Sequence, residues 1–424
     1  MHHRYRVLTH VIKNTLFLLL IGSYDATSSE VGLPIIEPSI KIACLFPMSG
    51  PSANYGEDSV EAIRIAEDEL KERHDQHFYK NESDSQSFAF PTVEVLIGDT
   101  KSKPLRAVQL ARSFIDNENV SFLCGGVSSS VALAVTKVAY DNKVIFVGTD
   151  HASPRLVDEA LHPYYFRMNN GTRQSMQAGA KYIAQHYRKR GPLKIAFIGP
   201  DYDYGYRAWD DLLYFLKNNN ISVEITAELW PKLNEKDYTI YIDALVNAKP
   251  DIIVNGHWGT DFVNFIKQAK NTQLFEKTKL MNFDAGGNYD TLAALGSDMP
   301  LGLVLSARHH VNWPQTVGNQ QFVKTFYQRT GRYPSYAAAG AYAGIHAIAA
   351  VVSQTKSLAN NEELISRFQE LSIKLPEDPD GFASHMNPVT HQIQQVQAIG
   401  VTVKNTSFPP ATVLLDHWFV YRPN

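Results

Sequence analysis

Cysteine is nearly absent: the 424 residues contain two, Cys44 and Cys124. So few exclude a disulfide framework and a cysteine-based zinc site. Both fall in apolar runs that read as strands. Two buried free thiols are the expected state, and a single bridge in an oxidising compartment is the alternative. An excess of one charge is also missing. The 40 Lys+Arg stand against 43 Asp+Glu, a formal net charge of −3, with no basic cluster suited to a phosphate backbone. Nucleic acid is therefore not expected as a partner. Charged residues make up 20% against 44% apolar, which excludes an intrinsically disordered chain.

Several chemical signatures are absent too. No Gly-x-Gly-x-x-Gly follows the first strand-like run, and there is no Gly-x-x-x-x-Gly-Lys-Ser/Thr, so no nucleotide cofactor is expected. Without Gly-x-Ser-x-Gly there is no common nucleophile elbow. His-Glu-x-x-His is missing, and His309-His310 are adjacent rather than helically spaced, so no metal is expected either. No catalytic residue is assigned, and an enzyme is not expected.

Long apolar runs are scarce. One, Thr15 to Gly22, follows Arg4, Arg6 and Lys13. It is too short to span a bilayer, which takes about 20 residues. A basic segment, a short apolar core and the small residues Ala26 and Ser28 read as a secretory signal over 1–28, cleaved after Ser28. The expected location is periplasmic or extracellular. The other apolar stretch, Ala337 to Val352, is rich in Ala and Gly and reads as a closely packed buried helix.

The rest of the chain alternates strand and helix patterns. Strands are expected at 40–46, 92–98, 120–124 and 144–148, with helices at 58–74, 105–117 and 129–142. The alternation restarts with strands at 194–199, 223–230, 251–256 and 279–283 and helices at 205–219, 237–248 and 261–270. Helices at 319–330, 337–354 and 362–371 and strands at 390–403 and 413–421 complete it. The expected fold is α/β, with two Rossmann-like parallel sheets flanked by helices. The tail is too short for a third domain, so the chain crosses between lobes more than once.

In such sheets ligands bind beyond the carboxyl ends of the strands. Those positions hold Pro47 to Gly56, Gly125 to Ser130, Gly148 to Pro154, Gly199 to Gly205, Asn255 to Thr260 and Asp284 to Gly287. The serines after Gly126 open a helix, where backbone N–H groups suit a carboxylate or phosphate; a plain Ser N-cap accounts for them equally.

The run Phe46-Pro47-Met48-Ser49-Gly50-Pro51-x-Ala53-x-Tyr55-Gly56 resembles the opening of type I periplasmic binding proteins of the branched-chain amino acid (Leu/Ile/Val) type. Ser128-Ser129-Ser130, Thr149 to Pro154, Asp201-x-x-Tyr204-Gly205, Pro250 to Ile253 and Met281 to Asp284 extend the likeness over about residues 39–424. The resemblance implies two lobes joined by three chain crossings, divided here as 39–168 plus 309–380 and 169–308 plus 381–424. It implies a monomer that captures an amino acid or amide analogue and delivers it to an ABC transporter permease. A sensory module for a membrane receptor or kinase is the alternative. By the same resemblance Ser128 and the Ser129 region hold the ligand's α-carboxylate, Asp284 its α-ammonium, and Tyr55, Tyr204 and Trp258 line the pocket. The loop Asp150-His151-Ala152 departs from the family, whose members carry small residues and a hydroxyl there. Either Asp150 points away or caps the next turn, or the ligand carries an extra polar or cationic group or is an amide.

Overall fold

A computed structural model describes residues 39–80, 91–187 and 191–423, without the side chains of 39 and 76–80. The expected signal segment, 1–28, lies outside the described residues. The chain builds β1 (Ser39–Phe46), α1 (Ala53–Lys80), β2 (Thr92–Asp99), α2 (Pro104–Glu118), β3 (Phe122–Gly125), α3 (Ser129–Asn142), β4 (Ile145–Gly148) and β5 (Tyr165–Arg167). These five strands form one parallel sheet in the order β2-β1-β3-β4-β5. Helices cover both of its faces, so β3 and β4 are buried at every position and read as unbroken apolar runs.

The chain then forms α4 (Thr172–His186), β6 (Leu193–Ile198), α5 (Asp203–Asn218), β7 (Val223–Leu229), α6 (Thr239–Ala248), β8 (Ile252–Asn255) and α7 (Gly259–Ala269). The short α8 (Leu274–Lys277), β9 (Lys279–Asn282), α9 (Tyr289–Leu295) and β10 (Val304–Ser306) follow. Next come α10 (Val317–Thr330), α11 (Tyr336–Val352), α12 (Asn361–Gln369), β11 (Ser372–Ile373), β12 (Ser384–Met386), β13 (Ile393–Gln394), β14 (Gln397–Lys404) and β15 (Val413–Tyr421). The second sheet runs β15-β14-β10-β9-β8-β6-β7, with β14 antiparallel to both of its neighbours, β10 and β15. The small antiparallel sheet β11-β12-β13 stands apart.

The two-lobed α/β architecture is therefore present, and the chain passes between the sheets three times: after β5, after β10, and between β13 and β14. Side-chain amides lace these passages. Arg167 Nε donates to Gln392 Oε1 at 2.6 Å, Asn170 N to Gln395 Oε1 at 3.0 Å, and Asn170 Nδ2 to Gln397 Oε1 at 3.0 Å. Gln397 Nε2 reaches Ser306 Oγ at 2.6 Å. The expected strand 390–403 is broken where Gln395 and Val396 serve this lacing instead of a ladder. β5, α4 and β10 had no expectation. They are short or mixed in polarity, and neighbours in space rather than periodicity define them.

The apolar stretch from Ala337 forms α11, buried along nearly its whole length. Its glycines have a specific cause: a Cβ on Gly340 would lie 1.8 Å from the Thr149 carbonyl oxygen, and one on Gly344 2.8 Å from Thr149 Cγ2. Small residues let α11 lie directly against the loop that follows β4.

The expectation of free thiols is corrected. Cys44 and Cys124 form a disulfide, and no free cysteine is present among the described residues. Parallel pairing sets the two residues opposite one another on β1 and β3, with Cα atoms 4.3 Å apart. The sequence could not show that the two strands are neighbours. The bridge closes a loop across a separation of 80 residues, and a loop that long constrains the unfolded chain by about 4 kcal/mol. Cys44→Ala combined with Cys124→Ala should lower the unfolding free energy by that order in guanidinium titrations; an unchanged midpoint would show that the thiols are not bridged.

Candidate functional site

Parallel strands deliver their following loops to one edge of each sheet, and here the edges of the two sheets face one another. The loops share a small apolar cluster of Tyr55, Ala285, Ala307, Tyr336 and Ala337, with Val127 and Trp258 packed against it. Tyr55 stacks on Tyr336 with centroids 5.5 Å apart and lies 6.0 Å from Trp258. Trp258 Nε1 donates to Tyr202 Oη at 3.1 Å, and Tyr202 stacks on Tyr204 at 5.8 Å. Five aromatic rings from both lobes thus form a wall.

Beside it lies a buried charge cluster. Asp284 follows β9, where Asn282 Oδ1 accepts the N–H groups of Ala285 and Gly286 at 3.1 and 2.9 Å and turns the loop. Its Oδ1 accepts Ser175 Oγ at 2.7 Å; its Oδ2 accepts Tyr204 Oη at 2.8 Å and Arg308 Nη2 at 2.6 Å. Arg308 Nη1 reaches across to the Asp150 carboxylate at 2.7 Å and the Asp150 carbonyl at 2.5 Å. The guanidinium also sits over the Tyr336 ring, 4.6 Å from its centroid. One cation therefore joins two carboxylates from opposite sheets, with the acids' side chains 1% exposed and the arginine's 7%.

Burial pushes Asp150 up to about 7, with Arg308 pulling the other way and Asp284 adding to the rise. Burial also works against the charge on Arg308, yet Asp284 and Asp150 outweigh it and hold the guanidinium above its ordinary value. Two polar atoms of the cluster, Asp150 Oδ2 and Arg308 Nε, have no hydrogen-bond partner among the described residues.

The other expected site residues divide into groups. Tyr55, Tyr204, Trp258, Asp150 and Asp284 stand together in this assembly. Ser128 is the half-buried N-cap of α3, with its hydroxyl 2.9 Å from Ser130 Oγ, and its neighbour Val127 belongs to the aromatic cluster. Ser129 turns inward, and its Oγ accepts the Ser153 N–H at 3.1 Å. The Ala152 carbonyl accepts the Thr172 N–H at 2.9 Å at the start of α4. His151 is committed within its own lobe. Its Nδ1–H donates to the Gly126 carbonyl at 3.1 Å, and Nε2 accepts from Tyr165 Oη at 2.6 Å. Burial pushes it down to about 3, so it is neutral.

Sequence reading missed Arg308, Ser175, Tyr202 and Tyr336. Arg308 carried a usable signal: an arginine three residues after the apolar run Leu303-Val304-Leu305, just past the end of a strand parallel to β9. That strand is three residues long, too short for periodicity to reveal.

Further contacts bridge the lobes. Ser153 Oγ donates to Asp203 Oδ2, Arg155 pairs with Asp203 at 3.3 Å, Arg207 pairs with Glu159 at 2.7 Å, and Asn54 Nδ2 donates to Asp290 Oδ2 at 3.3 Å. The lobes are closed on one another.

An acid whose proton is held more tightly in the folded than in the unfolded chain makes folding less favourable as pH rises from its unfolded value, near 4, towards its folded one. For Asp150 that window runs from about 4 to about 7. Asp150→Asn should flatten the fall in stability across this window by up to about 1.4 kcal/mol per pH unit, read as unfolding midpoints at stepped pH. An identical slope would mean that Asp150 is ionised throughout.

The profile of the periplasmic binding protein family matches residues 39–404. The chain is 25% identical over 320 residues to Leu/Ile/Val-binding protein homolog 7 of Brucella abortus, covering 72% of this chain and 74% of that one. A solute-binding protein of an ABC transporter from Rhodopseudomonas palustris, solved with 3,4-dihydroxybenzoic acid, superimposes with a TM-score of 0.75 at 21% identity, over 91% of this chain and 98% of that one. The leucine-binding protein LivK of Thermotoga maritima superimposes with a TM-score of 0.70 at 18% identity, over 91% and 99%. With 366 consecutive residues inside the matched span, two sheets and three crossings, the chain belongs to the periplasmic binding protein family.

Proposed function

We propose that this protein is exported, captures a small polar solute between its lobes, and delivers it as a monomer to the permease of an ABC transporter. The bodies that close are 39–168 with 309–380 and 169–308 with 381–424. The observation that carries the reading is the Asp150–Arg308–Asp284 bridge beside the wall formed by Tyr55, Tyr202, Tyr204, Trp258 and Tyr336. Such a wall offers flat apolar surface, and the charged centre offers directed hydrogen bonds that strengthen as closure removes water. Amino acids, amides and aromatic acids all combine an apolar body with a polar head that suits this arrangement. Relatives that bear Leu/Ile/Val-binding names and a neighbour solved with a dihydroxybenzoic acid support the same range.

Binding to the folded chain alone raises its stability by about 2.7 kcal/mol at a hundredfold excess over Kd. A thermal-shift panel of branched-chain and aromatic amino acids, their amides and aromatic acids should contain a stabilising compound, and Trp258→Ala should abolish its effect. A panel without a stabiliser, or one whose effect survives the substitution, would remove capture at this site.

A further inference from the structure

The acid that the family resemblance reserves for a ligand ammonium is already paired within this chain. Asp284 accepts Ser175 on one oxygen and both Tyr204 and Arg308 on the other. Three of a carboxylate's roughly four acceptor sites are filled, and its charge is matched by a guanidinium at 2.6 Å. An ammonium brought to Asp284 would meet Arg308 as a like charge.

Arg308 is held from three sides. One nitrogen is shared between the Asp150 carboxylate and carbonyl, the other binds Asp284, and the plane lies over Tyr336. Swinging it out would leave a buried carboxylate in each lobe without its counter-charge, which buried ion pairs do not tolerate. The remaining valences at the centre are the N–H on Arg308 Nε and the second oxygen of Asp150. The free N–H on Arg308 Nε is a charge-assisted donor that suits a carboxylate oxygen.

We infer that Arg308 stands in for the ligand's ammonium, and that the cleft selects ring-bearing carboxylic acids that carry no amino group. The inference rests on capture in the cleft and names the solute class. It makes Arg308 a specificity-determining residue, because the internal cation both satisfies Asp284 and repels a second cation. The aromatic wall supplies the preference for a ring.

The test uses pairs of compounds that differ only by the α-amino group: phenylpropionate and phenylalanine, hydroxyphenylacetate and hydroxyphenylglycine, isocaproate and leucine. Calorimetry on the wild-type chain should give at least one ring-bearing acid a Kd ten or more times lower than its amino counterpart. Arg308→Lys, which keeps a cation, should retain the preference, and Arg308→Met should erase or reverse it. An amino acid that binds as well as or better than its deaminated partner overturns the inference while capture in the cleft stands. So does a preference unchanged in Arg308→Met, or binding confined to amides in the wider panel. Absence of binding by every compound in that panel, or binding that survives Trp258→Ala, would remove capture at the site itself. The wild-type comparison decides the matter even if Arg308→Met fails to fold.

Discussion

The buried guanidinium of Arg308 governs the arrangement of the two lobes. Asp150 and Asp284 come from loops of different sheets, and two buried carboxylates brought this close repel one another unless a cation lies between them. Arg308 supplies that cation at 2.7 and 2.6 Å. Its attachment matters as much as its charge. It stands two residues beyond β10, where the chain leaves the second sheet, so one short segment is both part of a crossing and the centre of the site. A change in how the lobes meet must therefore alter the pairing of this group.

The surroundings of the bridge are organised to keep it in place. Asn170, Gln392, Gln395 and Gln397 tie the crossings together through neutral amide hydrogen bonds, to which the Arg167 guanidinium adds a charged one on Gln392. In the first lobe the disulfide joins β1 to β3, while Gly340 and Gly344 let α11 rest on the loop that leads to Asp150. The loop is thus backed by a helix on one side and capped by Arg308 on the other. At the rim, the Arg155–Asp203 and Arg207–Glu159 pairs lie in partly exposed positions where ion pairs contribute little each. The buried centre, rather than this rim, dominates the electrostatics of closure.

Much of this was legible in the residues. The alternation of apolar strand runs with amphipathic helices carried the two α/β units, because a strand buried on both faces must be apolar and a covering helix must show a 3.6-residue period. The rule that loops at strand carboxyl ends meet at one edge pointed to the loops that carry Tyr55, Asp150, Tyr204, Trp258 and Asp284, and the family resemblance singled out those residues within them. Local chemistry accounted for the Ala- and Gly-rich helix as a tightly packed one. Each of these readings depends on neighbours in sequence.

Tertiary structure alone decided the rest. Whether Cys44 meets Cys124 depends on β1 and β3 lying side by side, a pairing 80 residues apart that no local pattern encodes. His151 looked like part of the pocket loop, yet the positions of Tyr165 and Gly126 turn it into its own lobe. The partner of Asp284 was invisible for the same reason: Arg308 lies 24 residues further along, after a three-residue strand. Periodicity reveals which faces are buried; charge pairing across a cleft is fixed by which loops the fold brings together.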